Sequence, residues 1–157
     1  MKEIKKLKDS FRYAFNGLCF IIHNERNFRI HIIITCYIIY FSKYYMFSKQ
    51  EYATLILTIC VVLFTEIINT AIEHIVNFLS PSYSMFAKIT KDIAACGVLI
   101  SAIAATTIGI IYFFDMNIIS LIVDDFISHW IKLLLFLISI ILSLMIILKN
   151  TKNNPLP

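Results

Sequence analysis

Four long apolar stretches constrain the fold of this chain more than any other feature. They cover residues 30–47, 52–76, 93–114 and 130–148. About 20 apolar residues cross the hydrocarbon core of a bilayer as a helix, and a helix satisfies its own backbone hydrogen bonds there. The sequence therefore predicts an all-α integral membrane protein with four transmembrane helices.

The composition excludes several other classes of protein. Charged residues make up 15% of the 157 residues, against about 25% in soluble globular chains. A net charge of +4 is too small to indicate a nucleic-acid partner, and the three isolated glycines exclude a glycine-rich phosphate loop. The four cysteines are far apart in apolar surroundings, which predicts neither a disulfide nor a metal site: Cys19, Cys36, Cys60 and Cys96.

Residues 2–24 have the pattern of an amphipathic helix. Apolar residues recur at steps of three and four: Ile4, Leu7, Phe11, Ala14, Phe15, Leu18 and Ile22. Basic residues occupy the other side: Lys2, Lys5, Lys6, Lys8 and Arg12. A basic amphipathic helix of this kind is typical of the membrane surface, and a helix of a soluble bundle is the alternative.

The distribution of lysines predicts the orientation. Apart from the basic N-terminal arm, lysines flank the same side of the membrane in two places: Lys88 and Lys91, and Lys149 and Lys152. The predicted loop between the third and fourth stretches is acidic instead, so the positive-inside rule places both termini in the cytoplasm. Lys43 and Lys49, on the outer side, are exceptions. Aromatic residues also fall at the outer interface: Tyr44, Tyr45, Tyr52, Tyr112 and Trp130.

The second apolar stretch contains a polar stripe. Glu66, Asn69 and Glu73 are spaced i, i+3 and i+7, which places them on one face of a helix, with Thr70 and His74 beside them. Carboxylates inside a membrane span are costly and usually functional. The stripe lies toward the cytoplasmic side of its span.

Three further charged residues reach the same side of the membrane. Lys91 and Asp92 open the third stretch, and Glu25 lies between the surface helix and the first stretch. Spaced carboxylates can bind Mg²⁺ together with phosphate oxygens, and a lysine can neutralise phosphate. A remaining carboxylate can accept a hydroxyl proton in phosphoryl transfer.

Two other interpretations stay open. Glu66 and Glu73 could pair with Lys91 or Arg29 to hold helices together, or the carboxylates could form a proton or cation pathway. The histidines lack the pair spacing that is typical of zinc sites.

The stripe Glu66-Ile-Ile-Asn69-Thr70-Ala71-Ile72-Glu73, followed by Lys91-Asp92, resembles the prokaryotic diacylglycerol kinase family, which includes the undecaprenol kinases of Gram-positive bacteria. The resemblance continues in residues 13–17 and 24–29 and covers about residues 5–114. One departure is Asn77, where family members commonly have aspartate.

The resemblance implies a homotrimeric lipid kinase with a surface helix, three spans per subunit and active sites between subunits at the cytoplasmic interface. Residues 1–114 would form the kinase domain, and residues 115–157 an additional loop, a fourth transmembrane helix and a tail. ATP would phosphorylate a membrane lipid alcohol with Mg²⁺ as cofactor, undecaprenol being favoured and diacylglycerol second. A small ion transporter and a non-catalytic scaffold are the rivals.

The resemblance also implies roles for individual residues. Glu66 would be the catalytic base, Glu25 and Glu73 would bind the Mg²⁺ that accompanies ATP, and Asn69 would orient Glu66 or the phosphate. The other expected nucleotide-binding residues are Lys91 on phosphate, Asp92, Tyr13 near the adenine, and a loop of Ser82, Tyr83 and Ser84.

Overall fold

The computed structural model describes residues 2–149. Within that range all regular elements are α-helices: α1 Lys2–Asn24, α2 Arg26–Ser42, α3 Lys49–Leu79, α4 Met85–Phe113, α5 Met116–Ser128 and α6 Trp130–Leu148. This confirms the predicted all-α class. The tail from residue 150, including Lys152, which contributed to the predicted orientation, lies outside the described residues.

Three of these helices, α3, α4 and α6, are long and apolar enough to cross a membrane. Helix α2 has 17 residues, at the short end of what spans a bilayer. Its predicted bounds of 30–47 were wrong, because the helix begins directly after Glu25 and ends at Ser42. A turn follows in which the amides of Tyr44 and Tyr45 bond the carbonyls at the end of α2, and Met46 has a φ of 44°.

Local capping explains why α3 and α4 begin earlier than their apolar stretches. Ser48 accepts a hydrogen bond from the Glu51 amide, and the Glu51 carboxylate accepts one from the Ser48 amide, which together form a capping box. The Ser84 hydroxyl accepts a bond from the Ala87 amide at the start of α4. Helix α4 therefore includes Lys91 in its first turns.

The predicted acidic loop between the third and fourth stretches was wrong, because most of it forms helix α5. The Asp115 carboxylate accepts hydrogen bonds from the amides of Asn117 and Ile118, at 2.9 and 3.4 Å. A side-chain oxygen at this position satisfies amides that the first turn leaves unpaired.

Packing is centred on the α3–α4 pair, which makes the most extensive contact between helices. The hydroxyls of Thr65 and Ser101 are 2.8 Å apart across it. Helix α2 packs on α3 with one side and on α6 with the other, where the Tyr37 hydroxyl is 3.1 Å from those of both Ser139 and Ser143. The C-terminal helices therefore join the bundle mainly through α2.

Most apolar surface is left exposed by this packing. Phe28, Leu55, Val62 and Phe126 are the buried hydrophobic side chains among residues 2–149, and neither α1 nor α6 buries a residue. Large contiguous apolar surfaces mark contact with a membrane or a protein. Here these surfaces run along the helices that are long and apolar enough to span a membrane.

Candidate active site

The polar stripe of α3 contains the most buried side chain of that helix, Glu66. Glu66, Asn69 and Thr70 are only 2%, 7% and 4% exposed. The Asn69 side-chain amide donates a hydrogen bond of 3.2 Å to Glu73 Oε1. The stripe therefore lies on the buried face of α3, together with Leu55 and Val62.

The junction between α1 and α2 lies against this stripe. Glu25, the single residue between the two helices, has an extended backbone with φ −101° and ψ 114°. Glu66 lies near both Glu25 and Glu73, and the Asn27 side chain lies beside it. Three carboxylates from two segments of the chain thus form one cluster, which we call the carboxylate cluster: Glu25, Glu66 and Glu73.

His74 is a neighbour of the cluster whose contacts the sequence did not predict. Its Nε2 atom is 3.8 Å from Glu25 Oε1, and its ring packs edge-on against Phe20, with centroids 5.5 Å apart. The spacing of residues in α3 placed His74 beside the stripe, but only the folded arrangement of α1 brings Phe20 and Glu25 to it.

Two buried polar atoms of the stripe, and one on α2, have no hydrogen-bond partner. Among the described residues they are Glu66 Oε2, Asn69 Oδ1 and Arg29 Nε. A buried polar atom without a partner is costly, so such atoms call for a ligand, a subunit or a catalytic role. Arg29 and Lys91 form no ion pair with Glu66 or Glu73 in the described range, which leaves the helix-packing interpretation without its expected contacts.

The cluster has a suitable donor set for Mg²⁺ bound together with a nucleotide. Mg²⁺ commonly takes one or two protein carboxylates and completes its octahedron with water and substrate phosphates. Glu25 and Glu73 supply two carboxylates beside a third. Over residues 2–149, no group of three His, Cys, Asp or Glu side chains forms a metal site by itself, so the fit depends on oxygens from a substrate.

Lys91 lies near the same end of α3. Its ammonium donates a 2.6 Å hydrogen bond to Asn77 Oδ1, and Asn77 is one helical turn beyond Glu73. The asparagine at this position is a neutral hydrogen-bond acceptor, so it positions Lys91 without neutralising the positive charge of the ammonium. Asp92 is exposed and takes part in no hydrogen bond or ion pair of its side chain in the part of the chain described.

The remaining expected nucleotide-binding residues are not brought to the cluster by any contact in residues 2–149. Tyr13 is 64% exposed on α1, with the Arg12 guanidinium 5.4 Å from its ring centroid. Ser82 and Tyr83 are exposed in the loop before α4. Ser84 caps that helix.

Comparison with known proteins identifies one matching family. The family described as prokaryotic diacylglycerol kinase matches residues 12–113, so the match ends with the last residue of α4, and α5 and α6 lie beyond it. No solved structure matches the chain.

Several curated proteins are similar to the same region. A diacylglycerol kinase of Synechocystis sp. is 41% identical over 64% of this chain and 58% of its own length. An undecaprenol kinase of Bacillus subtilis is 31% identical over 71% of this chain and 90% of its own length. A diacylglycerol kinase of Helicobacter pylori is 31% identical over 68% and 84%. The chain thus spans little more than half of the Synechocystis relative and most of the other two.

Proposed function

The chain belongs to the prokaryotic diacylglycerol kinase family, and we propose that it is a membrane lipid kinase that transfers the γ-phosphate of ATP to the hydroxyl of a lipid alcohol. The observation that carries this proposal is Glu66, a carboxylate that is 2% exposed and has one oxygen without a partner. A buried carboxylate in that state is suited to take up a proton from a bound hydroxyl.

Glu66 acts as the general base in this proposal. The lipid hydroxyl gives its proton to Glu66 Oε2 while its oxygen attacks the γ-phosphorus, and the bond from that phosphorus to the bridging oxygen of ADP breaks. Glu66 Oε2 is the atom proposed for this role because it is buried and has no hydrogen-bond partner among the described residues.

Glu25 and Glu73 would hold the Mg²⁺ of the nucleotide. When bound, the ion neutralises charge on the phosphates and aligns them for transfer. Asn69 would orient Glu66 or the phosphate; in support, its side-chain amide already restrains Glu73, while its carbonyl oxygen has no partner among the described residues.

The other nucleotide contacts come from the start of α4 and from its flanking segments. Lys91 would leave Asn77 for a phosphate oxygen, exchanging a neutral acceptor for a charged one. Asp92 would bind the nucleotide beside it. Tyr13 would lie near the adenine, and the loop before α4 would cover the nucleotide with Ser82, Tyr83 and Ser84.

The assembly is proposed to be a homotrimer in a bacterial cell membrane. Both termini and the carboxylate cluster would face the cytoplasm, where ATP is found. Residues 1–114 would form the kinase domain and residues 115–157 an extension. Active sites between subunits would explain why Tyr13 and the loop before α4 make no contact with the cluster of their own subunit.

Undecaprenol is proposed as the preferred substrate and diacylglycerol as the second. In support, the Bacillus subtilis relative, named undecaprenol kinase, aligns over 90% of its own length. Because the identity to the Synechocystis diacylglycerol kinase is higher, diacylglycerol is tested beside undecaprenol.

The test uses purified full-length protein in detergent–lipid micelles with γ-labelled ATP. Undecaprenol and diacylglycerol are offered separately, each with Mg²⁺ or with a chelator. The proposal predicts labelled lipid phosphate in the presence of Mg²⁺, with faster labelling of undecaprenol. Labelling of neither lipid would refute a lipid kinase, and faster labelling of diacylglycerol would overturn the substrate order alone.

A further inference from the structure

The seam between α2 and α6 holds two adjoining cavities that the proposed kinase site does not use. The first, of about 320 Å³, is lined by Tyr40, Lys43, Tyr44 and Lys132. The second, of about 410 Å³, also includes Tyr40 and continues along the seam past Cys36 and Phe136. We call the two together the α2–α6 groove. One of its walls, α6, lies beyond the residues that match the family.

One end of this groove is basic. Lys43 and Lys132 lie at the end of α2 opposite to Glu25, far from the carboxylate cluster. The Lys132 ammonium donates to the Asp125 carboxylate and to the Tyr44 hydroxyl, which uses two of its three N–H groups. Lys43 forms no ion pair or hydrogen bond through its ammonium anywhere in residues 2–149. The ammonium of Lys43 is therefore the cation at this end of the groove that remains available to a ligand.

The position of these lysines is unusual for a membrane protein. The positive-inside rule disfavours lysine on this side, and Lys43 was an exception to the predicted orientation. Tyr40 and Tyr44, which line the same cavity, have the amphipathic side chains that favour a membrane boundary. A lysine-lined pocket bordered by phenols offers the chemistry that recognises the phosphate of a lipid headgroup.

The length of the groove corresponds to one leaflet of a bilayer. It extends along α2 from Lys43 to Ile33, a difference of ten positions, or about 15 Å at the helical rise. The hydrocarbon core is about 30 Å thick, so one leaflet contributes half of that. The deeper cavity is lined mainly by apolar side chains such as Leu135 and Phe136, as an acyl chain requires.

We propose that the α2–α6 groove binds an anionic phospholipid from the leaflet opposite to the carboxylate cluster. Its phosphate lies between Lys43 and Lys132, and one of its acyl chains fills the deeper cavity along Cys36 and Phe136. The site does not depend on the kinase reaction. One of its walls is α6, which lies outside the residues that match the family, so the site is not a feature of the family-matching region alone.

Native mass spectrometry of the full-length protein in neutral detergent tests the headgroup. Phosphatidylglycerol and phosphatidylcholine with identical chains are added separately. We expect phosphatidylglycerol to be retained more strongly. Lys43→Gln should weaken its binding about fivefold, because one lysine near an anionic lipid surface contributes about 1 kcal/mol. Lys49→Gln is the matched control, since it removes the same charge nearby but lines neither cavity.

A second pair of variants tests the second cavity, which is proposed to hold an acyl chain of the lipid. Cys36→Trp should fill it and abolish retention of phosphatidylglycerol, whereas Cys60→Trp, at a position on α3 that is likewise exposed but lines neither cavity, should leave it unchanged. Millimolar inorganic phosphate should not displace the lipid. Equal retention of both lipids, equal effects of the two lysine variants, an unaffected Cys36→Trp protein, or displacement by free phosphate would each overturn the proposal.

Discussion

Replacing Glu66 with glutamine separates the catalytic contribution of this residue from its contribution to folding. Glutamine keeps the size of the side chain and can still form hydrogen bonds, but it cannot take up a proton. A positioned general base contributes about 10²–10⁴ in rate, so we expect the phosphorylation rate to fall by that factor, or by about 2.7–5.4 kcal/mol in activation free energy. The assay is the initial rate of lipid phosphate formation at saturating ATP and Mg²⁺.

The stability of the same variant should not fall. Glu66 is 2% exposed and lies near the charges of Glu25 and Glu73, so a neutral amide removes both the burial of a charge and the repulsion. The melting temperature should equal or exceed that of the wild type. Glu3→Gln, an identical change at an exposed position, is the control and should change neither quantity. A Glu66→Gln protein with near wild-type turnover would refute the assignment of the base.

Further predictions concern the metal, the extension and pH. Glu25→Gln and Glu73→Gln should each raise the Mg²⁺ concentration that gives half-maximal rate, because each removes a proposed ligand; unchanged titrations would contradict this. A stop codon after Asp115 should leave a trimeric, active kinase, as checked by size in detergent and by the lipid assay; a trimeric but inactive product would show that α5 and α6 shape the site. Hydrogen bonds from Lys132 and Tyr44 lower the pKa of Asp125, so its stabilising contribution should be complete at neutral pH and disappear as the pH falls through that lowered pKa. Thermal unfolding of wild type and Asp125→Asn should therefore differ at pH 7 and converge in acid, and a constant difference would contradict the linkage.

The extent of the membrane helices followed from the sequence only where hydrophobicity alone determines it. The run of apolar residues from Trp130 to Leu148 matches α6 at both ends, and no side-chain cap extends that helix beyond the run. Helix α3 begins before its apolar stretch because Ser48 caps it, and α5 was missed because Asp115 was interpreted as a loop residue when it is an N-cap. The capping residues Ser48 and Asp115 are visible in the sequence, but the predicted bounds of the helices were based on hydropathy alone.

The candidate site could be predicted from the sequence only where its residues lie on one helix. Helical periodicity alone predicts that Glu66, Asn69 and Glu73 share a face, because the three residues lie on one element. The contact between His74 and Glu25 could not be predicted in this way, since it depends on how α1 and α2 meet α3. The hydrogen bond from Lys91 to Asn77 likewise depends on the packing of α3 against α4.

The most direct test of the lipid kinase assignment is the stoichiometry between ADP released and lipid phosphate formed by the purified protein. The account predicts one lipid phosphate for each ADP, with both products absent when either the lipid alcohol or Mg²⁺ is omitted. ADP release without added lipid, or proton movement across vesicles that contain the protein but no ATP, would contradict it and favour an ATPase or a transporter.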